Sequence, residues 1–246
     1  MNRSVACLTL PTNARLQTVA CALVLAMMGV GCSEADLNRL DTDAPLLLSF
    51  PILEREMMYD RVMGMDHDPD DYESINRGIC ANFEGESFPY CYDGHSGSDF
   101  DLIGGFEAMD AGSATVIAAA PGVVTRVIDG NYDRCRLDLS TFEPDCDGYP
   151  MIPNVIIITH ANGYTTDYVH LMQDSAMVEV GQTVDRGALL GRVGSSGYST
   201  APHLHLGLET PDKMDVDPFA GPFSQKKSWW CEQDVGDGLP GDCSEE

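Results

Sequence analysis

The sequence is poor in positive charge. Of its 246 residues only 14 are Lys or Arg, three of them Lys, against 39 Asp or Glu, for a formal net charge of −25. A field of that sign repels phosphate backbones and anionic headgroups, which excludes nucleic acid or a membrane surface as a partner bound through net charge. The nine cysteines include no Cys-x-x-Cys pair, which argues against a cysteine-based metal site. No His-Glu-x-x-His occurs, so the helical zinc-protease arrangement is excluded. Gly-Ser-Ser-Gly at 194–197 lacks both the Gly-Lys-Ser of a phosphate loop and a Gly-x-Ser-x-Gly elbow, and reads as a turn. No internal repeat is present, and no apolar run reaches the roughly 20 residues that span a bilayer.

What is there begins with a leader. Arg3 and Arg15 precede an apolar run at 18–31 that ends Gly-Val-Gly-Cys and turns acidic, the pattern of a secretory signal over residues 1–31. The ending resembles a bacterial lipoprotein signal with Cys32 as the lipidated residue, although Gly29 stands where such signals carry a large apolar residue. Ordinary cleavage and release is the alternative. Either way the protein is expected to be extracytoplasmic, with membrane contact only through a lipid at Cys32. Cys7 and Cys21 fall in the leader, and the other six cysteines form three close couples: Cys80 with Cys91, Cys135 with Cys146 and Cys231 with Cys243. Three local disulfides are the simplest reading, in keeping with an oxidising compartment.

Residues 32–78 read as an N-terminal extension, with a short helix over 52–63 and a solvated acidic turn, Asp-His-Asp-Pro-Asp-Asp, at 66–71. That turn also offers carboxylates to calcium but lacks the Gly-centred calcium-loop spacing. Residues 79–223 form the expected domain. Runs rich in Val, Ile and Thr at 115–119, 123–128, 155–160, 164–171, 189–193 and 203–208 are separated by Gly, Pro, Asn and Asp, with no long helical periodicity. They predict an all-β domain, a small antiparallel sandwich or barrel-like fold. Residues 131–153 read as an insertion between strands, and 224–246 as an acidic tail closed by its cysteine couple.

Six histidines carry the candidate chemistry. His95 and Asp99 flank Ser-Gly-Ser, and His203 and His205 flank Leu204 in a strand-like run. Strand residues two apart share a face, so His203 and His205 project side by side while Leu204 turns to the core. Two imidazoles and a carboxylate suit a catalytic zinc, which takes three protein ligands and keeps a position for water. A His-x-His pair alone is weak evidence, more often structural than metal-binding.

The wider pattern resembles the LytM/lysostaphin-type zinc endopeptidases. It comprises His95-x-x-x-Asp99, Tyr-Val-His-Leu at 168–171 and the run from Gly191 to His205. Pro-Gly-Val-Val at 121–124, Asn-Gly-Tyr-Thr-Thr at 162–166 and Val-Gly-Gln-Thr-Val-Asp-Arg-Gly at 180–187 belong to it too. The resemblance covers about residues 90–210. It implies His95, Asp99 and His205 as zinc ligands, His203 and His170 as the catalytic histidines that do not bind metal, and cleavage of peptidoglycan peptides. His203 would serve as general base, and His170 would stabilise the oxyanion or orient the water. His160 falls at a position without a catalytic role, His67 in the acidic turn is expected to be exposed, and Tyr168 and Tyr198 either line the groove or pack. Two other readings stay open: a regulator of wall amidases without activity of its own, and an extracellular protease acting on Gly-rich protein.

Overall fold

The computed structural model describes residues 46–69, 79–140, 143–233 and 238–243. The leader, Cys32, and Asp70 and Asp71 of the acidic turn lie outside the described residues. No helix among the described residues is long and apolar enough to cross a membrane.

The domain is almost wholly β, as its composition predicts. Among the described residues eleven strands follow in order: β1 (Met58–Met63), β2 (Ser98–Leu102), β3 (Thr115–Ile117), β4 (Gly122–Ile128), β5 (Arg136–Leu137), β6 (Pro144–Asp145), β7 (Val155–Thr159), β8 (Thr165–Val169), β9 (Thr183–Val184), β10 (Leu189–Arg192) and β11 (His203–Glu209). One short helix, α1 (Gly105–Asp110), follows β2. Seven strands make an antiparallel sheet in the order β1-β2-β11-β8-β7-β4-β9, while β3 pairs with β10 and β5 with β6 as separate ribbons.

One face of the sheet makes the core. Phe100, Ile156, Ile158, Tyr168, Leu204, Leu206 and Leu208 alternate inward from adjacent strands and meet Val116 and Leu190 of the β3/β10 ribbon in a single apolar cluster. This is the two-layer packing of a sandwich-like fold. Each fully buried Leu, Ile or Phe contributes about 1.5–3 kcal/mol by leaving water.

The cluster extends beyond the expected domain limits. Leu48, Phe50 and Ile52 are buried in it, as are Trp229 and Trp230. Phe50 meets Phe100 edge-on at 5.2 Å, and Trp230 meets Phe100 at 6.3 Å and Phe219 at 5.4 Å. The segments that flank the domain also pair with each other, Leu48 N–H donating to Trp229 O (2.7 Å) and Cys231 N–H to Leu48 O (2.8 Å). All three expected disulfides are formed.

Three local expectations are corrected. Instead of a helix over 52–63 there is a single 3-10 turn, Arg55–Met57, followed by β1, which pairs antiparallel with β2 and borders the sheet. The acidic turn is not simply solvated. The Asp66 carboxylate accepts hydrogen bonds from the N–H groups of Asp68 (2.9 Å), Ala81 (3.1 Å) and Gly94 (2.9 Å). His67 is not an exposed turn residue either, since its Nε2 lies 2.7 Å from Oδ2 of the buried Asp217. The return of the chain through 216–219 supplies that partner.

Candidate active site

Pairing register builds the site. β11 lies between β2 and β8, and His205 is directly opposite both Asp99 of β2 and Val169 of β8. Leu204, Leu206 and Leu208 anchor β11 in the core, so His203 and His205 stand together on the opposite face. Asp99 reaches that face because Ser98, Phe100 and Leu102 face inward. His95 arrives from the turn before β2, its N–H donating to Tyr92 O (3.1 Å) and its ring stacked on Tyr92 at 4.3 Å.

The three side-chain atoms converge closely. Asp99 Oδ1 lies 3.1 Å from His95 Nε2 and 2.8 Å from His205 Nδ1, and the two nitrogens are 3.1 Å apart. His95 Nδ1 is 2.7 Å from Gly64 O, and a carbonyl only accepts, so the ring proton sits on Nδ1 and Nε2 carries a lone pair. That lone pair faces a carboxylate oxygen and a second imidazole nitrogen, three atoms placed so that one cation can share them. Burial raises the cost of the Asp99 charge, yet the imidazoles of His95 and His203 hold its pKa well below the ordinary value. Burial likewise opposes charge on His95, but Asp99 outweighs it and raises that pKa. The three residues form a group that could hold a metal ion. Their hard and borderline donors, spaced near the edge of a tetrahedron about 2 Å in radius, fit zinc.

Two further histidines complete the face. His203 Nδ1 lies 2.7 Å from Ala201 O, leaving Nε2 as its free nitrogen, 3.7 Å from Asp99 Oδ1. His170 follows β8 in a left-handed conformation (φ 64°), unusual for a residue with a Cβ and a place where backbone strain gathers at functional sites. Its Nδ1 lies 2.7 Å from Ser196 O, and its ring centre is 4.7 Å from that of His203. Burial, reinforced by the neighbouring His203 and His205, pushes the His170 pKa down to about 3, so the ring is neutral at ordinary pH.

All five residues singled out in the sequence are therefore brought together. The others separate cleanly. His160 is buried, with Nδ1 2.9 Å from Pro121 O and Nε2 3.0 Å from Thr166 Oγ1, and burial lowers its pKa. Tyr168 packs in the core, its hydroxyl accepting the Ala119 N–H (2.8 Å), whereas Tyr198 is exposed. Asp101 stands opposite His203 in the β2/β11 register and 3.8 Å from Arg61, and burial raises its pKa. Sequence reasoning missed three contributors: the Gly64 carbonyl, the Asp66 carboxylate and Gly97. A side chain at Gly97 would lie 2.7 Å from His205 Nε2 and 2.6 Å from Leu206 O. The Gly between His95 and Asp99 was a visible signal of close approach, while Gly64 and Asp66 act over distances in sequence that no local pattern reveals.

Fold and site together define a class: an antiparallel β domain whose outer sheet face carries a convergent His-Asp-His group flanked by two more histidines. The sequence description of Peptidase family M23 matches residues 94–218, and the chain belongs to this family, the LytM/lysostaphin family of the expected resemblance. Among curated proteins it is similar to the peptidoglycan DD-endopeptidase ShyA of Vibrio cholerae, 42% identical over 60 residues, covering 24% of this chain and 14% of the relative. It is also similar to the DD-carboxypeptidase/endopeptidase Mpg of Neisseria meningitidis, 45% identical over 102 residues, covering 36% of this chain and 22% of the relative. The matches thus span less than a quarter of either relative's length. Among solved structures, the catalytic domain of lysostaphin from Staphylococcus simulans is similar at 27% identity and a TM-score of 0.34, over 50% of this chain and 75% of that one.

Proposed function

We propose that the protein is a zinc-dependent endopeptidase that hydrolyses peptide bonds in bacterial peptidoglycan outside the cytoplasm. The observation that carries this reading is the meeting of His95 Nε2, Asp99 Oδ1 and His205 Nδ1 within 3.1 Å of one another beside two histidines with free nitrogens. Membership of the M23 family and likeness to wall endopeptidases supply the substrate class.

His95, Asp99 and His205 would hold the zinc. When bound, zinc supplies Lewis acidity toward the attacking water and the scissile carbonyl. The Gly64 carbonyl keeps the proton of His95 on Nδ1, so Nε2 stays available as a ligand. His203 Nε2 takes the proton of the attacking water, because its other nitrogen is committed to Ala201 O. It then returns that proton to the departing amine. His170 is neutral and commits Nδ1–H to Ser196 O, so its Nε2 is an acceptor. Of the two roles expected for it, orienting the water by accepting a hydrogen bond fits this arrangement, whereas stabilising an oxyanion needs a donor.

The test is hydrolysis of purified peptidoglycan by zinc-loaded protein, with released peptides read by mass spectrometry. His203→Ala is expected to keep its zinc and lose about 10²–10⁴-fold in rate, the usual contribution of a positioned base. A zinc-loaded wild-type protein that releases no peptide from any wall preparation contradicts the reading.

A further inference from the structure

We propose that the disulfide-closed hairpin in the 131–153 insertion is a positioning device for His170 and His203, acting through the loop at 194–200. The proposal builds on the functional reading above. Both histidines are tied to that loop: His170 Nδ1 lies 2.7 Å from Ser196 O, and the His203 backbone N–H donates to Gly194 O at 3.1 Å while its ring Nδ1 lies 2.7 Å from the carbonyl of Ala201, the residue that follows the loop. Ser199 Oγ stands 3.4 Å from His203 Nδ1. The loop is tied in turn to the hairpin. Cys135 N–H donates to Ser195 O (2.9 Å), Ser195 Oγ–H donates to Cys135 O (2.6 Å), and Leu137 N–H donates to Thr200 O (2.9 Å). Cys146 Sγ lies 3.5 Å from Gly197 O.

Ser195 is the relay. It is fully buried, and its hydroxyl sits 2.8 Å from Ser199 Oγ as well as on the Cys135 carbonyl. Gly197 lies so close to Pro153, at the end of the insertion, that a Cβ there would come within 2.8 Å of it. The loop therefore has handles on the insertion along most of its length. The metal ligands are held otherwise: His95 by Gly64 and Tyr92, and Asp99 and His205 by the β2/β11 register.

The hairpin is too small to hold its shape unaided. Its strands β5 and β6 are two residues each, and ribbons of that size are marginal in water. The Cys135–Cys146 bond closes it, and Arg136 ion-pairs with Asp147 on the same hairpin. Opening the disulfide should release the loop and let both imidazoles turn, while leaving the ligand trio in place.

The experiment uses the full zinc-loaded chain with two variants, Cys135→Ser/Cys146→Ser and, with the disulfide intact, Ser195→Ala. The first readout is the imidazole nitrogen chemical shifts at fixed pH, which report the tautomer of each ring. Wild type is expected to show single Nδ1–H tautomers for His170 and His203. Each variant is expected to show mixed or broadened signals at those two rings, with zinc content and the His95 and His205 signals unchanged. The second readout is peptidoglycan hydrolysis, where kcat should fall about ten- to a hundredfold with KM little changed, the usual result of a small misplacement. Wild-type His170 and His203 signals in the folded variants overturn the proposal, as does loss of zinc in step with any change. A wild type with the expected tautomers that hydrolyses nothing would overturn the substrate reading and leave the positioning claim standing on the first readout.

Discussion

The His205 ring stands where a side chain at Gly97 would go, and this makes a small substitution informative. In Gly97→Ala the new methyl meets His205 Nε2 and Cε1 and the Leu206 carbonyl, all within 2.8 Å, so either the ring or the strand must move. Zinc affinity is expected to fall about 10–100-fold, the usual cost of disturbing the groups that orient a ligand. A competition titration against a chelator measures it, and wild-type affinity would argue against close packing of the ligand group. His160 offers a test away from the metal. Burial depresses its pKa below 6.5, so the fold favours its neutral form and the unfolded chain binds the extra proton. Its contribution is complete above pH 6.5 and is lost as pH falls through that value toward the folded pKa. Thermal melts should therefore show stability declining as pH drops below about 6.5, with a shallower decline in His160→Gln. An identical slope in the variant would remove His160 as the cause.

At the scale of elements, the segment before the first ligand matters as much as the strand after it. Gly64 accepts from His95 Nδ1, Gly64 N–H donates to Tyr90 O, and Asp66 N–H donates to His95 O. The Asp66 carboxylate ties this segment to Ala81, inside the loop that the Cys80–Cys91 bridge closes, and to Gly94 just beyond it. Asp66→Ala and Cys80→Ser/Cys91→Ser are both expected to lower zinc affinity before they unfold the domain. Parallel loss of metal and fold, followed by metal content and circular dichroism together, would show a merely structural role. These are also the features that the sequence hid. The six Val/Ile/Thr-rich runs at 115–208 were legible as strands because β-branched residues and turn residues mark them locally. β1 was misread because Met, Glu and Arg at 54–63 favour a helix, and pairing with β2 overrides that preference. β2 left a signal that went unused: in Ser-Asp-Phe-Asp-Leu the apolar residues alternate with Asp99 and Asp101. His95, Asp99 and His205 were legible through the family resemblance, but the Gly64 carbonyl was not, since backbone acceptors carry no residue signature.

On the scale of the whole molecule, the M23 match covers residues 94–218, yet the core does not stop there. Leu48, Phe50, Ile52, Phe83 and Trp230 belong to the same cluster, with Phe50 and Trp230 against Phe100 and Phe83 against Phe219, and the flanking segments pair at Leu48 and Trp229. A fragment limited to residues 94–218 is expected not to fold, because it exposes the apolar surface these residues cover and loses the Gly64 acceptor. In the full chain, Trp230→Ala should cost about 3–5 kcal/mol, measured by denaturant unfolding. A stable, zinc-binding 94–218 fragment would show that the flanking segments are dispensable.

The proposed activity turns on one metal held by two imidazoles and one carboxylate. X-ray absorption at the zinc edge reads that most directly. It is expected to give one zinc per chain with nitrogen and oxygen neighbours near 2 Å, and loss of the bound metal in His205→Ala. A folded protein that binds no zinc, or whose zinc shows sulfur neighbours at about 2.3 Å, would contradict it.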